Sequence, residues 1–259
     1  MRMLKVLGLA VGLTVFFSAS ASIAQDLNPE HLLEAGKRVQ QVQAPRQYQL
    51  FHVTPKEVPN ASVGASHGEL YMKSEGKIRR VADDVVISRV APDGKTYFSD
   101  NSNHLKVLDA SGSVKTIAEN VDADFTFDKT GKQILVVRPL ENDITTMDLI
   151  RTDGKLIHHI LPEGNNFMPR FTPDGKSILF ASGDTGIISW YLVDIQGTNK
   201  RQLTNIGMVP GQMTDDFVPI MSTPQKAEFI DDTHFKYLDG NDVWILDITT
   251  GHASKPGVR

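Results

Sequence analysis

Residues 171–182, FTPDGKSILFAS, decide the fold. Phe171 leads into Pro173-Asp174-Gly175, and the apolar run Ile178, Leu179, Phe180, Ala181 leaves it. Pro fixes φ at the first corner of a turn, Asp bonds the backbone two residues on, and Gly accepts positive φ. Two short β-rich runs around such a turn predict a hairpin. Working outward, the pattern returns at residues 90–99 (VAPDGKTYFS), with Asp93 and Gly94 in the turn. It returns in degraded form at 127–137 (FDKTGKQILVV), with Gly131, and more weakly at 229–238 (FIDDTHFKYL).

A second mark alternates with these hairpins: a strand, a polar turn with Gly, and another strand. The instances are LYMKSEGKIRRV, LKVLDASGSVKTI, TTMDLIRTDGKLIHHI, WYLVDIQGTNKRQL and VWILDITTGHASK. Their turn glycines are Gly76, Gly112, Gly154, Gly197 and Gly251, at intervals of 36, 42, 43 and 54 residues. Four strands in a period of about 40–45 residues describe a propeller blade. The last interval is long because about a dozen residues are inserted near 206–222 (IGMVPGQMTDDFVPIMS). The expected fold is therefore all-β, a propeller of about five four-stranded blades, six being the alternative.

FTPDGKSILFAS followed by WYLVDIQGTNKRQLT resembles the repeat of the TolB-type β-propeller, a WD-repeat-like pattern built on Pro-Asp-Gly-Lys turns. The resemblance covers about residues 62–256 and is strongest at 167–204. It implies a propeller that works by binding another protein of the cell envelope. The TolB propeller has six blades and a preceding α/β domain, whereas this length leaves room for five blades.

The ends read differently. Arg2 and Lys5 precede an apolar run at 7–17 (LGLAVGLTVFF) that is too short for a membrane-spanning helix, which needs about 20 residues. SASASIA at 18–24 then offers a small-residue cleavage site before Gln25. Residues 1–24 are expected to be a signal peptide, which leaves no stable membrane span after cleavage. Their removal takes two bases and no acid, so the charge falls from −4 to −6. Export without any Cys suits the periplasm. Residues 25–47 form an N-terminal segment with one expected short helix, 29–41, and 48–259 form the propeller. The strand at 48–53 (YQLFHV) is expected either to open the first blade or to pair with the last one and close the ring, since 252–259 (HASKPGVR) is poor strand material.

Composition narrows the chemistry. The absence of Cys excludes disulfide scaffolds, thiolate metal sites and cysteine nucleophiles. A pI near 6.1 with no basic run argues against nucleic acid as a partner. No G-x-S-x-G, H-E-x-x-H, G-x-G-x-x-G or phosphate-loop pattern occurs. His158 and His159 are adjacent in an expected strand and point to opposite faces, while His52, His67, His104 and His234 are each alone in sequence. No catalytic residue, cofactor or metal ligand is assigned. The aromatic residues Trp190, Trp244, Phe98, Phe125, Phe127, Phe171, Phe180 and Phe229 are expected between blades.

In an up-and-down blade the first and third turns share one rim, and the second loop shares the other with the links between blades. The turn rim would hold Lys77, Lys95, Lys132, Lys155, Lys176 and Lys200. The other would collect Asp83, Asp84, Asp100, Glu119, Asp122, Asp124, Glu141, Asp143, Glu163, Asp184, Asp215 and Asp216. Such an acidic rim suits a basic protein surface or a cation. The insertion adds Met208, Met213, Phe217 and Met221, adaptable apolar side chains for a protein contact. The partner-binding set is therefore Met208, Met213, Asp215, Asp216, Phe217, Asn101, His104, Glu141, Asp143 and Asp184. The expected function is a periplasmic scaffold that recruits another envelope protein. The alternatives are a carbohydrate-active lyase or hydrolase, and a module that binds a cation or small ligand.

Overall fold

The computed structural model describes residues 37–42, 49–55, 68–122, 124–141, 144–205, 227–239 and 242–257. Among these residues the regular elements are all strands, and no helix is long and apolar enough to cross a membrane. The leader expected at 1–24 lies outside the described residues.

The first sheet has seven strands in chain order: β1 (Lys37–Val42), β2 (Gln49–Pro55), β3 (Gly68–Ser74), β4 (Lys77–Val90), β5 (Thr96–Asp100), β6 (Leu105–Leu108) and β7 (Val114–Ala118). Three four-stranded sheets follow. The second holds β8 (Phe125–Phe127), β9 (Gln133–Pro139), β10 (Thr145–Arg151) and β11 (Leu156–Gly164). The third holds β12 (Asn166–Phe171), β13 (Ser177–Ser182), β14 (Ser189–Asp194) and β15 (Arg201–Gln202). The fourth holds β16 (Glu228–Phe229), β17 (His234–Asp239), β18 (Asp242–Asp247) and β19 (Ala253–Ser254). All pairings are antiparallel between chain neighbours, as short turns dictate.

β4 serves two groups of strands. Its first part, to Val85, pairs with β3, and its second part, from Val85, pairs with β5. Register shifts flank the change, and Asp84 takes a φ of 53° there. A bulge of this kind bends the strand and re-aims its side chains. The seven-stranded sheet is thus two four-stranded meanders joined through β4.

The N-terminal segment departs from expectation. Residues 37–41 are not helical but belong to β1, which pairs with β2 from Lys37↔Pro55 to Val42↔Leu50. Lys, Arg and Gln favour helices weakly, and pairing along a whole neighbouring strand overrides so small a preference. β2 lies between β1 and β3, so it helps to open the first sheet and does not pair with the last one.

The core explains why runs such as ILFA at 178–181 are apolar throughout. On β13, Ile178 and Phe180 pack with Leu135, Val137 and Leu149 of the second sheet. Leu179 and Ala181 point the other way and pack with Phe235 and Leu246 of the fourth. Both faces are covered, so alternation disappears. Similar clusters join β4–β6 to β8–β10 and, within the first sheet, β2–β3 to β5–β6. Trp190 is buried and meets Phe235 edge to face, their ring centroids 5.0 Å apart, tying the third sheet to the fourth.

The turn glycines do more than supply φ. Gly154 and Gly197 have φ of 89° and 79°, and a Cβ on either would overlap a backbone carbonyl of the preceding sheet or meander, Ile117 O or Ile160 O. Gly251 repeats the contact, its Cβ falling 2.6 Å from Leu203 O, and Gly112 presses on the Arg79 side chain. Gly76, Gly94, Gly131 and Gly175 also take positive φ, between 68° and 84°.

Candidate functional site

The meanders β4–β7, β8–β11 and β12–β15 each turn back between their second and third strands. The loops at 101–104, 140–144 and 183–188 therefore belong to one rim of successive units. Asn101 is exposed in the first, and its N–H donates to Asp84 O at 3.0 Å. His104 closes that loop: its N–H donates to Asp100 Oδ1 at 2.9 Å, and its Nδ1 lies 3.3 Å from Oδ2. Glu141 is exposed in the second loop beside Leu140 and Ile144, which are 45% and 37% exposed. Asp184 is exposed in the third loop beside Ile187, which is 43% exposed. Asp143, Met208, Met213, Asp215, Asp216 and Phe217 lie outside the described residues.

The acidic rim is thinner than the sequence suggests. Asp100 and Asp124 are buried. Asp83 pairs with Arg80 at 3.0 Å, and Asp184 pairs at 3.0 Å with Lys200, a lysine expected on the opposite rim. Burial pushes the Asp100 carboxyl up, but hydrogen bonds from Lys106 and from the His104 side chain and backbone outweigh it and hold the pKa below the usual range. At Asp184 burial likewise raises the pKa, and the Asn165 N–H and Lys200 prevail to lower it. Asp84, Glu119, Glu141 and Glu163 are exposed as well. Of the other exposed aliphatics, Val114, Leu156 and Ile157 open outer strands, Ile230 sits in a turn at the opposite end, and Val243 lies near the start of β18.

The turn aspartates serve the fold. Asp93 and Asp174 each accept from the N–H two residues on, that of Lys95 and Lys176, at 3.0 Å. Asp109, Asp194 and Asp247 do the same in the third turns. In the turn before β17, the backbone N–H of Thr233 and the side chain of His234 bring the Asp231 pKa down to about 2.

The described histidines do not converge. His104 lies in a second loop and His234 follows a first turn, at opposite ends of their sheets. His159 bonds Asp148 at 2.8 Å, and His158 lies 3.0 Å from Gln196 O. The side chains of His52 and His67 lie outside the described residues. Among the described residues no group of three or more His, Asp or Glu is arranged to hold a metal ion.

Sequence reading missed one cluster. Arg89 on β4 and Arg170 on β12 both reach Asp124, just ahead of β8, at 2.5 and 2.9 Å. Burial weakens the hold of the Arg89 guanidinium on its proton, which Asp124 opposes and Arg170 reinforces. The available signal was positional: each arginine stands three residues before a Pro-Asp-Gly turn, at Pro92 and Pro173.

No family model and no curated protein matches the chain. Solved structures do. TolB from Acinetobacter baumannii superposes with a TM-score of 0.53 at 13% identity, over 89% of this chain and 72% of that one. A putative TolB from Agrobacterium tumefaciens gives 0.54 at 17% identity, over 84% and 79%. An oligogalacturonate lyase in complex with manganese gives 0.54 at 10% identity, over 85% and 72%. At such identities the likeness is one of architecture, and propellers host binding modules and enzymes alike. Successive antiparallel meanders, packed face to face and superposing on TolB over most of their length, give this chain a TolB-like β-propeller fold.

Proposed function

We propose that this chain is an exported, periplasmic propeller of five four-stranded blades that scaffolds another protein of the cell envelope. One observation carries the reading. Two successive second loops present exposed aliphatic side chains, Leu140 and Ile144 in one and Ile187 in the next, among the polar groups of Glu141 and Asp184, and the loop before them adds Asn101 and His104. Mixed apolar and polar surface on loops held by a rigid frame is the composition of a transient protein interface. The insertion at 206–222 extends the same contact. The blade count is supported by β4, whose two halves complete separate meanders. Export is supported by the leader pattern at 1–24, and the envelope role by the likeness to TolB.

The test is crosslinking and affinity capture from envelope extract with the full chain and an Ile187→Asp, Leu140→Asp variant. Both positions are exposed, so the variant should melt like wild type. A protein captured by wild type and lost with the variant supports the reading. Equal capture by both, or none by either, refutes it. Mass spectrometry of the exported chain should find Gln25 at its N-terminus.

A further inference from the structure

Arg89, Asp124 and Arg170 stand on or just ahead of the first strands of three successive meanders, where β8 packs against β12. The Asp124 side chain is 1% exposed, and those of Arg89 and Arg170 are 12% and 10% exposed. Arg89 Nη2 donates to Oδ1, while Arg170 Nη1 donates to Oδ2 and to Pro169 O at 2.7 Å. Two guanidiniums thus share one carboxylate, and the cluster carries one excess positive charge. Charge held out of water is costly unless it is paired. Among the described residues the buried Arg89 Nε has no hydrogen-bond partner, so a donor is left over as well as a charge.

We propose that this cluster is a binding site for a monoanionic carboxylate, taken by the Arg89 and Arg170 guanidiniums beside Asp124. A guanidinium offers a planar fork of donors that matches the two oxygens of a carboxylate. One carboxylate also cancels the single excess charge. A phosphate dianion would overshoot it and sit against the fixed charge of Asp124. The residual exposure of both arginines gives solvent a route to the cluster. The inference does not depend on the envelope reading, since it concerns the inner strands and not the loops.

Thermal melting and calorimetry of the full chain test it. The probes are sodium acetate, sodium D-galacturonate and sodium N-acetylalaninate, each against sodium chloride at equal ionic strength, with inorganic phosphate as a further arm. Acetate reports the bare group, and the other two separate an acidic sugar from a peptide C-terminus. At least one carboxylate should raise the melting temperature above its chloride control, as a ligand of the native state must. Phosphate should do less. Arg170→Met leaves Arg89 and Asp124 as a balanced pair and should weaken carboxylate binding by about tenfold or more. Asp124→Asn removes the competing carboxylate and should tighten binding by a similar factor, the added anion raising its melting temperature further than it raises that of wild type. Should Arg170→Met not fold, Arg170→Lys keeps the charge, loses the fork and should bind more weakly than wild type. Equal melting in carboxylate and chloride overturns the proposal, as do an Arg170 variant that binds like wild type and an Asp124→Asn protein that no carboxylate stabilises.

Discussion

Gly175 and Gly197 occupy the first and third turns of the same sheet, with φ of 72° and 79°. By sequence they are the same kind of residue. A Cβ on Gly175 would meet nothing within 4 Å, whereas one on Gly197 would run into the Ile160 carbonyl of the neighbouring sheet. Gly154 and Gly251 repeat the second situation against Ile117 and Leu203. The first turn shapes its own hairpin; the third also sets how closely one sheet can approach the next.

That contrast can be broken by experiment. Gly197→Ala combines a left-handed backbone with an overlap that only a shift of one sheet against another can relieve. It should cost about 2–5 kcal/mol in urea or thermal unfolding. Gly175→Ala faces the backbone penalty alone and should cost about 1–2 kcal/mol. Equal losses would show that the contact with Ile160 contributes nothing.

A smaller effect sharpens the comparison, because both turn types share one device. Neighbouring hydroxyls, with backbone N–H groups, hold the carboxyls of Asp109, Asp174, Asp194 and Asp247 below their ordinary range, and at Asp231 the Thr233 N–H leads. A pKa lowered in the folded state gives stability that is present above the unfolded value and lost as pH falls through the folded one. Asp231, at about 2 against 3.8 unfolded, places that loss below pH 4. Melting temperature followed from pH 5 to pH 2 should fall in this window, and less steeply in Asp231→Asn.

Much of the fold was legible because its signals are local. Pro92-Asp93-Gly94 and Pro173-Asp174-Gly175 determine their turns by their own φ preferences and hydrogen bonds, and ILFA at 178–181 announces a strand covered on both faces. What escaped depends on distant partners. β1 becomes a strand because β2 lies beside it, which KRVQQV alone does not reveal. Asp184 was read as part of an open acidic rim, but Lys200 reaches it from the third turn. Arg89, Asp124 and Arg170 meet across 81 residues of chain, and only the shared repeat position of the two arginines hinted at it.

β4 carries a consequence for how the molecule comes apart. Successive sheets elsewhere adhere through side chains and single close approaches, whereas the first two meanders share one continuous strand, β4, that pairs on both sides of its bulge. Opening between them has to rupture main-chain pairing at Val85, so amides on β3 and β5 should exchange as one cooperative block while the other joints loosen independently.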